Sequence, residues 1–420
     1  MIGYSKYIRA NGLTVVLHEA WDTPLATVNL LYNVGSRDED PQRTGFAHLF
    51  EHLMFGGTER VPDYDAVVSS LGGENNAFTN TDYTNYYITL PADSLAEALA
   101  LEADRMEGLR LTPKALEVQQ QVVTEEYRQR YMNQPYGDVW LLLRPLCFRS
   151  HPYRWATIGA DIAHVGEATL QEVMDFHRRF YRADNAVLAV AAPLSVAEML
   201  REVEKAWHCK AVSDNETGRR FAQECEYCAE PQQREPRRLE VQRDVPVDAV
   251  YMAWPCAGRF DKGFRECDLL SDVLSTGKSS RLEQRLVREM GLATEVDACI
   301  TGDAGPGMLM LSARLADGVD ADTVAEALRN EVRNLTATEV APGDLDKVLN
   351  RYESTFAFSQ YKAADRALGL CYYSWLGDTA LVNTEPDLYR QVSPASLLEA
   401  ARNTFVPERE NLLIVRKKES

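Results

Sequence analysis

The sequence predicts an α+β protein with two homologous domains, each a mainly antiparallel sheet with helices packed on one face. The chain has 420 residues, more than one ordinary core holds, because domains usually contain roughly 100 to 200 residues. A polar, turn-rich stretch at 211–238 lies near the midpoint and is typical of a linker. We therefore expect one domain at 1–210 and a second at 239–420.

The two halves repeat the same order of elements. In the first half, a strand-like run at 86–90 precedes a helical pattern at 95–109, a Thr-Pro helix start and a second helix through Tyr127. In the second half, a run at 308–312 precedes a helical pattern at 321–335, an Ala-Pro start and a helix through Tyr352. Such self-similarity predicts that the domains share one fold.

The composition limits the classes of function. Hydrophobic residues make up 45% and charged residues 26%, which is ordinary for a globular protein and excludes a disordered or fibrous chain. The 45 basic and 63 acidic residues give a net charge of −18, which argues against nucleic acid or an anionic membrane as a partner. The chain begins without a secretory signal pattern, so we expect a cytoplasmic protein, with the periplasm as the alternative if a signal was trimmed.

The segment 44–58 contains three polar residues that point to a metal. Positions four apart share one helix face, so His48 and His52 can direct imidazole nitrogens at one point, with Glu51 beside them. Two histidines and a distant carboxylate leave room for water on a zinc ion, and Glu51 is placed to take its proton. The bland alternative is a chance pair of histidines. A chance pair is disfavoured because burying unpaired polar groups in an apolar stretch costs free energy. The segment therefore predicts metal-assisted hydrolysis.

The third ligand should be a carboxylate on another helix. Glu125 and Glu126 are adjacent candidates, and only one can face inward because neighbours on a helix diverge by about 100°. The residues alone leave this choice open. Elsewhere, the acidic stretch at 37–40 and the group Glu97, Glu102 and Asp104 are predicted to form solvated faces.

The pattern resembles the insulinase/pitrilysin family of zinc metallopeptidases, whose H-x-x-E-H order inverts the usual zincin order. In particular it is similar to the two-domain branch that includes bacterial processing proteases and the mitochondrial processing peptidase. The resemblance covers nearly the whole chain. The segments that carry it are Asn11–Leu17, Gly35–Glu39, Gly45–Gly57, Gly72–Thr79, Val122–Glu126, His151–Tyr153, Ser279–Leu282 and Gly291–Ala293.

The resemblance implies a set of site residues. It assigns one zinc ion to His48, His52 and Glu126, with Glu51 as the general base. Asn76 and Ala77 correspond to a strand edge that binds the substrate backbone. Where the family often has a further Glu supporting the metal-binding one, this chain has Gln119.

The resemblance also implies a partner. Family members that act alone place an Arg and, seven residues later, a Tyr near the metal, but this chain has Val287 and Thr294 there. We therefore expect a heterodimer with a subunit of the same fold that carries the Arg and Tyr, with a homodimer as the alternative. Two such clamshell halves would enclose peptides or unfolded polypeptides for zinc-dependent endopeptidase cleavage. The competing reading is a non-catalytic structural or peptide-binding subunit of the same fold.

Overall fold

The computed structural model describes residues 1–208, 211–213 and 229–418. The chain forms two compact units and passes from the first to the second after Tyr127. It returns at Trp155, leaves again within 214–228, re-enters the first unit at Phe356 and leaves it finally at Pro386. Most of the predicted linker at 211–238 lies outside the described residues, so the boundaries at 1–210 and 239–420 stay a prediction.

The first unit contains a sheet with the strand order β4-β5-β3-β6-β2-β1-β7. Neighbouring strands pair antiparallel except β2 and β6, which are parallel. Strand β4 is therefore an edge of the described sheet. The strands are β1 (Ser5–Arg9), β2 (Thr14–Glu19), β3 (Leu25–Tyr32), β4 (Glu74–Thr79), β5 (Thr84–Pro91), β6 (Ala186–Ala192) and β7 (Ala211–Ser213).

The second unit contains a sheet with the order β10-β11-β9-β12-β8. Here β8 and β12 are parallel and the other neighbours antiparallel. The strands are β8 (Arg237–Arg243), β9 (Ala249–Cys256), β10 (Ala293–Ile300), β11 (Gly307–Leu315) and β12 (Asn411–Lys417).

Helices lie between many of the strands in the order of the chain. Within the described ranges, no helix is long and apolar enough to cross a bilayer. Helix α4 continues into a π-helical turn at Arg128–Met132, and a second π-helical segment spans Glu283–Glu289. The α-helices are α1 (Phe46–Leu53), α2 (Tyr64–Ser70), α3 (Leu95–Glu107), α4 (Pro113–Tyr127), α5 (Val139–Cys147), α6 (Ile162–Gly166), α7 (Leu170–Phe180), α8 (Val196–Ala206), α9 (Phe264–Ser275), α10 (Ala321–Ala337), α11 (Pro342–Phe358), α12 (Ala363–Trp375), α13 (Leu381–Tyr389) and α14 (Pro394–Thr404).

The sheet of the first unit is covered by helices on both faces. Helices α3 and α8 pack together and contact β3 and β2. Helix α12 covers the opposite face, where the Trp375 indole donates to Asn33 Oδ1 at 2.9 Å and the Cys371 thiol lies 3.3 Å from the Asn29 carbonyl. Both layers bury the apolar strands between them.

The sheet of the second unit has the same two layers. One face carries α9, α10 and α14 over a core that includes Met252 and Ile414. The other face carries α5, whose Leu143 packs with Tyr251 and Leu413. Successive strand residues point to opposite faces, so each strand contributes to both cores.

The strand orders show that the two units are repeats. In order, β4-β5-β3-β6-β2 of the first sheet correspond to β10-β11-β9-β12-β8 of the second, with the single parallel pair in the same place. Helices α4 and α11, at equivalent positions, begin at Pro113 and Pro342. The α+β class and the two mainly antiparallel sheets are confirmed. Helices α5 and α12 are exchanged between the halves, since each covers the sheet of the other half of the chain, and the sequence pattern does not predict this exchange.

Both acidic groups that were predicted to form solvated faces contain buried residues. Glu102 has no solvent exposure and accepts from the Arg105 guanidinium at 2.8 and 2.6 Å. Arg105 also lies 4.4 Å from the Tyr86 ring. A carboxylate is buried only where a cation or hydrogen-bond donors replace water, so the prediction was wrong for Glu102 because Arg105 shares its helix face.

Candidate metal centre

Helix α1 holds the first two candidate ligands on one side and the core on the other. It buries Phe46, Leu49 and Phe50, and the Phe50 ring stacks 5.1 Å from Tyr181. His48 is buried, while His52 is half-buried. The apolar residues fix the helix rotation, and this rotation directs both imidazoles to the same side.

Three ligand atoms converge on one point. Nε2 of His48 lies 3.1 Å from Oε2 of Glu126, and Nε2 of His52 lies 3.2 Å from the same oxygen. The two imidazole rings are 4.9 Å apart and nearly perpendicular. A tetrahedral zinc ion with bonds of about 2.0–2.1 Å separates its donor atoms by about 3.3 Å. The nitrogen and oxygen donors of these residues therefore fit a zinc ion in both type and spacing.

The structure distinguishes the two adjacent glutamates. Glu126 faces the histidines with 16% of its side chain exposed, whereas Glu125 is exposed and stands outside the cluster. Gln119 lies two turns before Glu126 on α4 and is half-buried. The geometry thus brings Glu126, and not Glu125, to His48 and His52.

Gln120 anchors α4 and was not singled out from the sequence. Its side-chain amide donates to the carbonyl oxygens of Val165 and Ala168, both at 2.9 Å. These carbonyls lie at the end of α6, so the contacts tie α4 to that turn. Helix α4 also packs against α1, and its fixed position sets where Glu126 meets the histidines.

Glu51 lies beside the ligands without belonging to them. Its Oε2 is 3.5 Å from Nδ1 of His48, the nitrogen that faces away from Glu126. Burial raises the pKa of Glu51, but the proximity and positive charge of His48, followed by the influence of Thr79 and the charge of His52, outweigh it and bring the pKa below its usual value. Glu51 is therefore ionised at neutral pH and available to accept a proton.

The charges around His48 favour a bound cation. Burial lowers the pKa of His48, yet the carboxylates of Glu126 and Glu51 raise it to about 9. Two carboxylates thus stabilise positive charge at this imidazole. A zinc ion would supply that charge instead of a proton, because a histidine binds a metal only through an unprotonated nitrogen.

Glu39 supports the start of α1. It belongs to the acidic stretch at 37–40, which was predicted to be solvated, and this prediction was wrong for Glu39. Its Oε2 accepts from the Gly45 amide and its Oε1 from the Ala47 amide, both at 2.9 Å. Gly45 has φ 88° and no side chain to cap the helix, so Glu39 serves these donors. Glu39 is 6% exposed and Arg37 2% exposed. Arg37 is buried because Asp82 accepts from it at 2.6 Å.

Asn76 and Ala77 lie on β4, the edge strand beside α1. Their partners on β5 are Tyr87 and Tyr86, which leaves the other side of β4 without a strand in the described sheet. Thr79, the last residue of this strand, lies beside Glu51. An extended peptide could therefore add to β4 near the candidate ligands.

The repeat in the second unit lacks the metal-binding side chains. Helix α9 corresponds to α1, and both follow a left-handed glycine, Gly263 with φ 98° and Gly45 with φ 88°, and begin at Phe. The three positions that correspond to the zinc motif hold Glu266, Leu269 and Leu270. Both leucines are fully buried, so this copy of the helix serves the core.

The positions expected to carry an Arg and a Tyr have other roles. Val287 packs against the core of the second unit. Thr294 is exposed on β10, and its hydroxyl lies 3.4 Å from the Arg314 carbonyl. The neighbouring Arg288 pairs with Glu283 at 3.2 Å.

Comparison with known proteins gives the same family for both halves. The family described as insulinase (peptidase family M16) matches residues 14–144, and the peptidase M16 inactive domain matches residues 167–352. The zinc protease PqqE of Helicobacter pylori is 29% identical over 369 residues, which are 85% of this chain and 80% of that protein. A crystal structure of a protease from Helicobacter pylori superposes with a TM-score of 0.90 at 25% identity and covers 99% of this chain and 100% of that one.

A longer relative has the same fold in part of its length. The periplasmic protease PqqL from Escherichia coli has a TM-score of 0.77 at 17% identity, and the match covers 98% of this chain but 47% of that one. The family matches, the similar zinc protease and the shared fold agree with the geometry of the cluster on α1 and α4. The chain belongs to peptidase family M16, the insulinase family.

Proposed function

We propose that this chain is a zinc-dependent endopeptidase that hydrolyses peptides or unfolded polypeptides in an enclosed chamber. The observation that carries the proposal is the convergence of His48, His52 and Glu126, with the ionised Glu51 beside them. One zinc ion per chain follows from this single cluster among the described residues.

The chain's own residues have separate roles in this reaction. His48, His52 and Glu126 would hold the zinc ion, which when bound lowers the pKa of water and polarises a carbonyl. Glu51 takes a proton from the attacking water, since its carboxylate is ionised and lies beside the ligands. The same carboxyl group then delivers the proton to the nitrogen of the departing amine, so that the base returns to its ionised form.

Strand β4 is proposed to position the substrate. Its open edge at Asn76 and Ala77 supplies backbone donors and acceptors to an extended peptide. Backbone pairing places a peptide carbonyl in a fixed register, while it imposes little selection on side chains. Such binding suits peptides and unfolded polypeptides, whose backbones are free to pair.

A partner subunit of the same fold is proposed to complete the site. Val287 and Thr294 cannot supply an Arg and a Tyr, and Arg288 is already paired with Glu283. The match covers 98% of this chain but 47% of PqqL, so this chain corresponds to about one half of that longer protease. This also supports an arrangement in which two chains of this fold pair with each other. A heterodimer is favoured, with a homodimer as the alternative.

Cytoplasmic location remains our proposal, with the periplasm as the alternative. Five cysteines in the described ranges are free thiols: Cys147, Cys256, Cys267, Cys299 and Cys371. Free buried thiols are usual in a reducing compartment.

Metal analysis with two adjacent glutamates tests the site. We expect wild type and Glu125→Gln to bind about one zinc ion per chain, and Glu126→Gln to lose most of it because a ligand oxygen is replaced by an amide. Glu51→Gln should retain zinc but reduce turnover of a quenched-peptide library by about 10²- to 10⁴-fold. Equal zinc loss in both glutamate variants would contradict the ligand assignment.

The same library distinguishes the enzyme from a peptide-binding subunit. Gln119, Val287 and Thr294 favour that second reading, because the family pattern is incomplete at these positions. We expect turnover when the chain is combined with a subunit carrying the Arg and Tyr. Stoichiometric zinc and saturable peptide binding without turnover, with and without that subunit, would instead establish a non-catalytic role.

A further inference from the structure

A short piece of chain joins the two elements of the first unit that are proposed to hold the peptide and the metal. Residues 35–39, here called the bridging segment, lie between β3 and α1 in the chain. One end of the bridging segment contacts the turn that follows β4, and the other end contacts the start of α1. Because β4 is the proposed peptide-binding edge and α1 carries His48 and His52, the bridging segment touches both parts of the proposed site.

The bridging segment holds the turn between β4 and β5 by backbone hydrogen bonds. The Ser36 amide donates to the Asn80 carbonyl at 3.1 Å. The Arg37 amide donates to the Thr81 carbonyl at 2.9 Å. Gly35 approaches the same turn so closely that an added Cβ atom would lie 2.5 Å from the Thr81 carbonyl oxygen. Close-packed backbones transmit such a displacement, so the position of the turn follows that of the bridging segment.

A buried ion pair strengthens this end of the bridging segment. Nη1 of Arg37 donates to Oδ1 of Asp82 in the turn at 2.6 Å, with side-chain exposures of 1% and 5%. Nη2 of Arg37 donates to Oδ1 of Asn33 at 3.3 Å, and the Trp375 indole donates to the same oxygen. The planar guanidinium fork is held in one orientation by two acceptors. The pair therefore fixes the turn and, with it, the end of β4 at Thr79.

The opposite end of the bridging segment holds α1. The Glu39 carboxyl group accepts from the amides of Gly45 and Ala47, both at 2.9 Å. Between the two ends, the Trp155 indole donates to the Ser36 carbonyl at 2.8 Å. Glu39, Ser36 and Trp155 are all buried. The first turn of α1 and the turn after β4 are thus attached to one short, buried piece of chain.

The attachment matters because the two elements act on one peptide. A peptide paired to β4 presents its carbonyl at a position set by β4, whereas the ligands His48 and His52 keep their place with α1. Misplacement of reacting groups by about 1 Å can cost about 10²-fold in rate. Peptide pairing and metal ligation each depend on one element, but their combination depends on the distance between the two elements.

We propose that the bridging segment positions the peptide-binding edge of β4 relative to the metal ligands on α1. Gly35 and Arg37 are positioning residues, because they act through the turn after β4 and not on the peptide itself. The inference rests on the proposed function. It predicts that a disturbed bridging segment leaves each single binding event intact and weakens only a ligand that pairs with β4 and binds the metal at once.

Three kinds of probe separate the combined binding from its parts. Acetohydroxamate binds zinc alone, N-acetyl-Leu-Ala-Ala-amide binds as a peptide alone, and a peptide hydroxamate of the same sequence does both. The hydroxamate is placed at the carboxyl end in one peptide and, through a malonyl group, at the amino end in another, and the tighter binder is used. Calorimetry with the zinc-loaded Glu51→Gln chain, in which hydrolysis is slowed, measures each affinity. We expect the peptide hydroxamate to bind at least about 10²-fold more tightly than either single probe, because the second contact becomes intramolecular.

Variants of the bridging segment test its role against a matched glycine. Gly35→Ala places a methyl group against Thr81, whereas Gly108→Ala, at an exposed position of the same unit, meets no atom within 4 Å. Neither glycine has a left-handed φ. Gly35→Ala should weaken the peptide hydroxamate by at least about tenfold and change the single probes by less than about twofold. Arg37→Lys, which keeps a charge for Asp82 but loses the fork, should weaken it by about threefold, and Gly108→Ala should have no effect.

Three results would overturn this inference alone. The first is an unchanged affinity for the peptide hydroxamate in Gly35→Ala and Arg37→Lys, and the second is equal weakening by Gly35→Ala and Gly108→Ala. The third is equal weakening of all probes by Gly35→Ala, which would show a general loss of structure. If the Glu51→Gln chain binds neither zinc nor acetohydroxamate, the proposed function fails and the inference fails with it. Arg37→Lys keeps the buried charge pair, so it decides the question even if Gly35→Ala does not fold.

Discussion

Replacing Glu39 with Gln tests how the candidate metal helix is held. Burial raises the pKa of this carboxyl group from 4.5 to about 8, although the Ala47 and Gly45 amides oppose the shift. A folded-state pKa above the unfolded value means that folding takes up a proton between these pH values. The stability from the protonated form is fully present below pH 4.5 and is lost as the pH rises to about 8.

The magnitude follows from the size of the shift. The pKa rises from 4.5 to about 8, and each tenfold change in proton affinity corresponds to about 1.4 kcal/mol, so the loss amounts to about 5 kcal/mol at most. Urea unfolding of wild type and Glu39→Gln at pH 5, 6, 7 and 8.5 measures it. We expect the stability of wild type relative to the variant to fall with rising pH. A difference that stays constant would refute the reasoning and show that Glu39 is ionised in the fold.

Three further substitutions test the support of the site. Gly45→Ala should destabilise the chain by at least about 2 kcal/mol more than Gly277→Ala in thermal unfolding, because both glycines have positive φ but only the first lacks room for a Cβ atom. Phe50→Ala should cost about 3–5 kcal/mol in urea unfolding through the cavity it leaves, and unchanged stability would contradict its core role. Gln120→Ala should lower zinc affinity in a competition assay with a chelator, since α4 loses its anchor. Gln121→Ala, at an exposed position of the same helix, is the matched control, and an equal loss in both would exclude anchoring by Gln120.

The zinc motif could be predicted because its geometry is local. His48, Glu51 and His52 lie on one helix, whose turn length alone brings them together. Glu126 needed the family spacing, since its neighbour Glu125 has the same chemistry and differs only in the direction set by packing. The order of strands and helices was predictable for the same reason, because each element has its own periodicity.

The residues that were missed make contacts across long stretches of chain. Glu39 seemed to belong to an acidic surface stretch because a sequence does not show which backbone donors will surround a carboxylate. Gln120 binds carbonyl groups more than forty residues away, and no pattern marks that contact. Only tertiary packing reveals such partners.

The late position of α12 in the chain has a consequence for synthesis on the ribosome. The last strand of the first sheet ends at residue 213, but the helix that covers one face of this sheet ends at Trp375. The 375 − 213 = 162 residues between them take roughly 10–30 s to translate at about 5–20 residues per second. During this interval the nascent first unit displays an uncovered apolar sheet face, which makes it a client for holding chaperones until nearly the whole chain has been made.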